Sequence, residues 1–267
     1  MTTDKILLLL ADGMRPDFVN ARVNPYAGEF LQESVYTLEG RTVMPSVTLP
    51  CHMSLFHSVP PERHGVLTNT WTPQVRPVRG LCEVLSGAGE SCGFFYDWEE
   101  LRDLVRPGPG GLAQSHYQRG DVYSHERTMA ETTQRVVEAL GMDELDFLFV
   151  YFGLPDAVGH KHGFGSAEYG VAVAGVWDSI KRIEEALPEG YGMIVTADHG
   201  GHGRGHGADC PEDMTIPIIF HGGPFAKIDA EKLRAASIMD IAPTIAAALE
   251  TQADPDWEGE SLFAQIT

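Results

Sequence analysis

Short, nearly continuous hydrophobic runs recur along the chain and alternate with stretches of helical periodicity. The runs are KILLLLA at 5–11, FLFVYFG at 147–153 and YGMIVTA at 191–197. Strands that are buried on both faces have this character, which is typical of a parallel sheet covered by helices. Weaker strand candidates lie at 35–40, 92–96 and 215–221.

Three segments between and after these runs carry helical patterns. The first has Ser124 in the N-cap position and Gly141 as its stop, the second covers 166–187, and the third covers 237–250. Pro243 inside the third segment predicts a kink. Strands and helices that alternate over the whole length predict the α/β class, with three α/β/α layers around a mostly parallel central sheet. We expect a single domain over residues 1–267, with no room for a sizeable cap domain.

The charge of the chain narrows its range of partners. Its 38 acidic and 19 basic residues give a formal net charge of -19. A field of that sign repels nucleic acid polymers and anionic membrane surfaces. It would also repel a phosphate substrate, unless bound divalent cations supply positive charge within the site.

The cysteines and the N-terminal run bear on the compartment. The four cysteines show no CxxC spacing, which favours reduced, structural thiols in the cytoplasm. The apolar run at 6–11 is too short for a signal peptide and ends in Asp12 rather than a cleavage site. No stretch approaches the roughly 20 apolar residues that cross a bilayer. We predict a soluble cytoplasmic protein; the sequence identifies no protein partner and leaves the oligomeric state open.

Polar side chains that could bind a ligand or take part in catalysis follow the three strongest hydrophobic runs. Asp12 follows the first run, Asp156 the second, and Asp198 with His199 the third. In an open parallel sheet, ligands bind at the edge where the carboxyl ends of the strands lie. We therefore expect these acidic groups to converge at one site.

Two segments have the residue types of metal sites. Asp156 and His160 are four residues apart, so on a helical turn they project to one side, and their oxygen and nitrogen atoms suit zinc or manganese. His162 would face away into solvent. The glycine-rich loop after the third run adds His202 and His206 to Asp198 and His199, which favours more than one metal ion. The alternatives are an N-capping Asp156 beside an incidental histidine, and a flexible loop with surface histidines.

Thr48 is the candidate nucleophile. It precedes a helix-like run from Cys51 to Ser58, so its hydroxyl lies near a helix N-terminus, which favours an anion. A threonine hydroxyl is a poor nucleophile at neutral pH, and metal coordination would lower its pKa. The alternative is an N-cap role, which is compatible with the first.

These residues resemble the nucleotide pyrophosphatase/phosphodiesterase family of the alkaline phosphatase superfamily. Each block is weak alone, but together they follow the family's order from position 12 to position 206. The blocks are Asp12-Gly13-Met14-Arg15, Pro45-Ser46-Val47-Thr48-Leu49-Pro50, Glu62-Arg63-His64-Gly65 with Asn69 beyond it, Pro155-Asp156 through Gly159-His160, and Asp198-His199-Gly200. The resemblance implies an alkaline-phosphatase-like fold and a hydrolase that acts on phosphoric ester bonds.

The resemblance also implies the site residues. Two divalent metal ions, zinc or manganese, are expected. One site resembles that formed by Asp156, His160 and a later histidine, His206, with His202 as the alternative. The other resembles the site formed by Asp12, Thr48, Asp198 and His199.

The catalytic roles follow from the same likeness. Thr48 would attack phosphorus and form a phospho-threonine, and Asn69, 21 residues later, would contact a phosphoryl oxygen. The expected substrate is a small-molecule phosphate ester or diester. Leu49 stands where members with nucleotide substrates often carry phenylalanine, so a base-stacking platform is missing there, and Cys51 replaces an expected asparagine.

Several other functions are weighed against this one. A sulfatase would need a cysteine or serine in a C/S-x-P-x-R signature, which is absent, and a cofactor-independent phosphomutase would need a large inserted domain. A phosphomonoesterase or a phosphonate hydrolase could use the same site. In a different class, the chain could be a catalytically silent metal-binding protein.

Some residues keep two interpretations at this stage. Tyr96, Asp97 and Trp98 either line the pocket or pack at a strand end, and Arg15 either contacts substrate phosphate or forms a salt bridge. For His52, His57 and His64 we favour packing. No partner in the sequence is assigned to His116, His125 or His221.

Overall fold

The computed structural model describes residues 4–105 and 111–264. Within these residues one sheet contains β1 Lys5–Ala11, β2 Ser34–Arg41, β3 Cys92–Tyr96, β4 Gln114–Tyr117, β5 Phe147–Phe152, β6 Tyr191–Thr196 and β7 Thr215–Gly222. The strand order is β2-β7-β6-β1-β5-β3-β4. All three strong hydrophobic runs and all three weaker candidates are therefore strands, as predicted.

The sheet is mostly parallel. Strand β1 lies at the centre and pairs in parallel with β5 and β6, and β3 and β4 continue the parallel part. Strand β7 runs antiparallel to β6, and β2 runs antiparallel to β7. The fold class is confirmed. The antiparallel direction of β7 was not predicted. The edge strand β4 was not predicted either, because its short QSHY segment has no hydrophobic pattern.

Helices cover the sheet. Their bounds are α1 Pro25–Gln32, α2 Thr48–His57, α3 Pro61–His64, α4 Leu81–Ala88, α5 Gly120–Tyr123, α6 His125–Met142, α7 Leu154–His162, α8 Ala167–Glu184, α9 Pro211–Met214, α10 Ala230–Arg234 and α11 Ile241–Ala248. Short 3₁₀ helices cover Pro16–Phe18, Glu99–Leu104, Gly223–Lys227 and Ile238–Asp240.

The long helices form two packed groups. Helices α2, α4 and α11 contact one another, and α1, α6 and α7 each contact α8. Residues Ile6 to Ala11 of β1 are buried, as are all residues of β5 and β6. Helices on both faces bury such strands completely, which is why their sequences are apolar without alternation.

Two predicted helix details were wrong. Helix α6 begins after Ser124, whose hydroxyl accepts a hydrogen bond from Arg127 N as expected, but it continues to Met142 and ends at Asp143 with φ 54° rather than at Gly141. The predicted kinked helix over 237–250 is a 3₁₀ turn followed by α11. Pro243 lies in the first turn of α11, where its missing N–H would have no partner within the helix, so no kink results.

The extent of the domain stays a prediction. The described residues share one sheet and one contiguous hydrophobic core. We retain the single domain over residues 1–267, without a sizeable cap, as an expectation.

Candidate active site

The carboxyl ends of the three central strands bring the predicted acidic residues together. Asp12 directly follows β1, Asp198 and His199 follow β6, and Asp156 lies in the first turn of α7, just after β5. Because β1 pairs with both neighbours, these ends are adjacent. Asp12, Asp198 and His199 are all buried.

The first group of possible ligands contains Asp12, Asp198 and His199. One ligand atom from each lies within 4.8 Å of the others. His199 Nε2 is 3.4 Å from Asp12 Oδ1 and 3.3 Å from Asp198 Oδ2. Thr48 Oγ1 lies 3.3 Å from the same His199 nitrogen. The structure thus brings together the four residues predicted for one metal site.

Thr48 is the first residue of α2 rather than its N-cap. Val47 occupies the N-cap position and no side chain caps the helix, so the N-cap alternative for Thr48 was wrong. The hydroxyl of Thr48 faces His199 instead. Leu49 N donates a 2.9 Å hydrogen bond to Asn69 Oδ1, which places the exposed Asn69 beside the nucleophile.

The second group contains Asp156, His160 and His206. His160 Nε2 is 3.4 Å from Asp156 Oδ2, and His206 Nε2 is 3.6 Å from Asp156 Oδ1. Each histidine places Nδ1 against a backbone carbonyl, at 3.0 Å for His160 and Arg204 O and at 2.8 Å for His206 and Ser46 O. A carbonyl only accepts, so Nδ1 carries the proton and Nε2 offers its lone pair, as in histidines that bind metals.

His202 lies apart from this group. Its Nδ1 is 2.7 Å from the buried Asp213 Oδ1, with Cys210 Sγ at 3.7 Å. Ala208 N donates to the other oxygen of Asp213. This cluster fastens the glycine-rich loop, while His206 reaches the second group. His162 is exposed, as predicted.

The carboxylates of both groups fit divalent cations. Asp12 Oδ1, Asp156 Oδ1 and Asp198 Oδ2 are buried atoms without a hydrogen-bond partner. Burial, and then the charges of Asp198 and Asp156, raise the pKa of Asp12 well above its usual value. Burial alone would also raise the pKa of Asp198, but the neighbouring His199, His52 and the N–H of Gly13 lower it. A cation would compensate these crowded negative charges and occupy the unpartnered oxygens.

Tyr151 is a site residue that the sequence did not indicate. Its hydroxyl donates a hydrogen bond to Asp12 Oδ2 from within β5. Burial, and then the charge of Asp12, raise the pKa of Tyr151 well above its usual value, so the phenol keeps its proton. The available signal was a hydroxyl within an otherwise apolar run.

A cavity of about 310 Å³ opens onto both groups. Beyond Asp12, Thr48, Asn69, Asp156, His160 and His206, its lining includes Asp97, Trp98, Tyr117, Arg119, Asp121 and His125. For Asp97 and Trp98 the pocket interpretation is therefore the one the structure supports. Tyr96 instead stacks on Tyr117 with 5.1 Å between ring centroids.

Other undecided residues now have partners. Arg15 pairs with Asp17 and donates to Gly201 O, which is the salt-bridge alternative. His52 is buried and donates from Nδ1 to Thr48 O at 2.8 Å, so it supports the backbone of the nucleophile. His125, which had no assigned partner, has Nδ1 3.5 Å from Asp97 Oδ2.

Two family models match the chain. Residues 114–253 match the metalloenzyme superfamily, and residues 6–84 match type I phosphodiesterase / nucleotide pyrophosphatase. Together the two segments include every residue predicted for the site.

Curated relatives are longer than this chain. A bis(5'-adenosyl)-triphosphatase of Xenopus laevis is 24% identical over 275 residues, which cover 91% of this chain and 56% of the relative. A 2,3-bisphosphoglycerate-independent phosphoglycerate mutase of Wolbachia pipientis is 32% identical over 150 residues, 53% of this chain and 28% of the relative. The chain spans about half the length, or less, of the curated relatives it matches.

Solved structures share the fold. Murine ectonucleotide pyrophosphatase / phosphodiesterase 5, solved in complex with AMP, has a TM-score of 0.76 at 15% identity and covers 94% of this chain and 96% of its own. A 2-O glycosaminoglycan sulfatase has a TM-score of 0.71 at 15% identity, over 97% of this chain and 73% of its own. The alkaline-phosphatase-like fold is confirmed. Among the described residues, no helix is both long and apolar enough to cross a bilayer, and the cytoplasmic location stays a prediction.

Proposed function

This chain belongs to the metalloenzyme superfamily, and from that premise we propose that it is a two-metal phosphoesterase that hydrolyses small phosphate esters or diesters through Thr48. The kinship with the nucleotide pyrophosphatase/phosphodiesterase family, first read from the motifs, agrees with the match over residues 6–84. AMP bound to the murine structure supports a small phosphate ester as the class of substrate.

The observation that carries the proposal is the position of the Thr48 hydroxyl. It lies 3.3 Å from His199 Nε2 in the first ligand group. The second group is adjacent, because the rings of His199 and His206 stack with 3.7 Å between centroids. A nucleophile beside two neighbouring ligand groups is the arrangement that two-metal enzymes use for in-line displacement at phosphorus.

Two divalent ions, either zinc or manganese, would be bound. One would be held by Asp12, Thr48, Asp198 and His199, and the other by Asp156, His160 and His206. When bound, the ions supply positive charge that lowers the pKa of the Thr48 hydroxyl and offsets charge on the phosphoryl group.

The residues of the chain then perform the reaction in two steps. Thr48 Oγ1 attacks phosphorus as the alcohol departs, and water later hydrolyses the phospho-threonine to restore the hydroxyl. Asn69 Oδ1 accepts from Leu49 N, which leaves its amide N–H groups to donate to a phosphoryl oxygen. His52 donates to the carbonyl of Thr48 and so supports the backbone that carries the nucleophile.

The substitution Thr48→Ala tests this proposal. With bis-p-nitrophenyl phosphate as substrate, we expect turnover to fall by about 10³-fold or more, because the nucleophile is removed. The metal content should stay near two ions per chain, and Thr68→Ala, in an exposed loop, should behave as wild type.

Other outcomes would redirect the assignment. Undiminished turnover in Thr48→Ala would refute the threonine mechanism. Faster hydrolysis of p-nitrophenyl phosphate by the wild type would favour a phosphomonoesterase. Full metal content without turnover of either substrate would favour the silent metal-binding protein.

A further inference from the structure

The cavity that opens onto the two ligand groups is also lined by residues outside those groups, and we call this part of its lining the outer subsite. Its walls are formed by Asp97, Trp98, Glu100, Tyr117, Arg119 and His125. None of these residues belongs to the predicted metal groups or to the nucleophile. A substrate phosphate held at Thr48 would direct one of its ester substituents into this space.

His125 has a specified position in the wall. Its Nδ1 is buried and lies 3.5 Å from Asp97 Oδ2, while about a quarter of the side chain remains exposed. A Cβ at Gly120 would lie 2.4 Å from Nδ1, and one at Gly153 would lie 3.4 Å from it. The two glycines therefore leave room for the ring. Since Nδ1 is buried against Asp97, the exposed part of the imidazole lies on the rest of the ring, where the cavity is.

Asp97 connects this histidine to helix α7. Its buried carboxylate accepts a 3.1 Å hydrogen bond from Gly153 N, at the residue before α7. Helix α7 carries Asp156 and His160. Asp97 thus fixes His125 relative to the ligand group, which makes Asp97 a positioning residue rather than a substrate contact.

The lining of the subsite combines a net negative charge with aromatic surface. Arg119 is held by two hydrogen bonds to Asp121, at 3.0 and 2.6 Å, so its charge is compensated. The charge of Glu99 is compensated in the same way by Arg102, and Glu100 adds a further carboxylate to the lining. An anionic substituent would meet like charge here, which opposes binding. The rings of Trp98 and Tyr117 offer flat apolar surface instead.

We propose that the outer subsite binds the second organic substituent of a phosphodiester. His125 hydrogen-bonds to a polar group of that substituent. The subsite selects for a substituent that carries no charge. The inference rests on the proposed phosphoesterase function and adds the class of substrate. That class is diesters whose second alcohol is neutral, with a hydroxyl group or an aromatic ring, rather than a group that carries a further phosphate or carboxylate.

Three aryl diesters that differ only in one para group test the selectivity. Each carries p-nitrophenol, and the second substituent is p-hydroxyphenyl, phenyl or p-carboxyphenyl. We expect kcat/KM to be highest for hydroxyphenyl and about tenfold lower for carboxyphenyl than for phenyl. Glu100→Gln should narrow the difference between phenyl and carboxyphenyl. Equal values, or a preference for the carboxylate, would overturn the proposal.

The role of His125 is tested by His125→Phe, which keeps a ring and removes the hydrogen bond. We expect it to abolish the preference for hydroxyphenyl over phenyl, through a higher KM with kcat changed less than about threefold. Asp97→Asn keeps an acceptor for Gly153 N and should reduce the same preference. His162→Gln, an exposed histidine outside this cavity, is the matched control.

Inorganic phosphate separates this role from a structural one, because it has no substituent. Its inhibition constant should be the same in wild type and His125→Phe, and a parallel loss of phosphate affinity and metal content would refute the proposal. If the wild type cleaves none of the diesters, its activity on diesters is refuted, and the subsite is then tested by binding measurements. Phenyl phosphate should then bind more tightly than phosphate, p-hydroxyphenyl phosphate more tightly still, and only the second difference should vanish in His125→Phe.

Discussion

At the scale of single residues, Tyr151 orients a carboxylate of the candidate site. It is buried in β5 and its hydroxyl donates to Asp12 Oδ2, while Asp12 Oδ1 has no hydrogen-bond partner. The hydrogen bond leaves one defined oxygen for a cation, as partners behind metal ligands commonly do. The hydroxyl therefore bears directly on metal affinity.

We predict that Tyr151→Phe weakens zinc binding about tenfold, because outer hydrogen bonds of this kind contribute that much. A competition titration with a chromogenic chelator measures it. Tyr191→Phe is the matched control, since that buried hydroxyl donates to Leu145 O, away from the site. Equal affinities for the two variants would contradict the prediction.

The folded protein favours the neutral form of the His64 imidazole. It is fully buried, its Nδ1 accepts from Val66 N at 3.1 Å, and Nε2 lies 3.1 Å from Ser54 Oγ. Burial, and then the neighbouring His57, lower its pKa from 6.5 to about 4. Between pH 6.5 and about pH 4, His64 is protonated in the unfolded chain but not in the folded protein. The free energy of unfolding therefore falls as the pH falls.

We predict that the His64 contribution is complete above pH 6.5 and decreases as the pH approaches 4. Between about pH 7 and pH 5 the free energy of unfolding should fall by about 2 kcal/mol from this group. Denaturant unfolding at the two pH values measures the change. His64→Asn should show a smaller decrease, and an identical decrease in both proteins would refute the assignment to His64.

At the scale of elements, the loop after β6 folds back closely on α9. Gly200 N donates to Asp213 O at 2.9 Å and Gly201 N donates to Glu212 O at 2.8 Å. A Cβ at Gly200 would lie 2.0 Å from Glu212 O, so only glycine allows this approach. The approach holds the loop that runs from His199 to His206.

We predict that Gly200→Ala lowers the free energy of unfolding by about 1–3 kcal/mol, as overpacking does, and also lowers the metal content. Thermal unfolding and metal analysis test both. Gly205→Ala lies in the same loop, where a Cβ meets no atom within 4 Å, and should change neither quantity. A stable Gly200→Ala variant with full metal content would show that the loop position does not depend on this approach.

At the scale of the whole molecule, a chain with net charge -19 gathers several carboxylates at one edge of its sheet. Asp198 and Asp156 lie close enough to Asp12 that their charges, in addition to burial, raise its pKa. Cations that bind only the folded protein compensate this repulsion and add to stability by mass action. Metal binding should therefore be visible in global unfolding.

We predict that zinc at about 100 times its dissociation constant adds about 2.7 kcal/mol, which raises Tm by about 5 °C or more over the chelated protein. Differential scanning calorimetry with and without chelator measures the shift. Asp156→Asn removes a ligand from one group and should show a smaller shift. The same Tm with and without chelator would contradict metal binding at these residues.

The sequence alone predicted most of the framework, and the family resemblance of its motifs implied the residues of the two ligand groups, with His206 and His202 left as alternatives. Strands β1, β5 and β6 carry uninterrupted apolar runs because they are buried on both faces, and their ends place Asp12, Asp156 and Asp198 at one edge. The parallel sheet follows from the same local pattern. Periodicity and strand-end position are properties of short segments, so they can be read without tertiary contacts.

Only the tertiary structure decided the rest. It placed His206 beside Asp156 and His202 beside Asp213, a difference that depends on the path of a glycine-rich loop and not on residue type. It brought Tyr151 to Asp12 from a neighbouring strand, 139 residues away in sequence, and His125 to Asp97 from a different element. Local pattern carries no information about such pairings, because they depend on sheet order and loop geometry. The sequence thus determined which chemistry the chain can hold, and tertiary packing decided which side chains surround it.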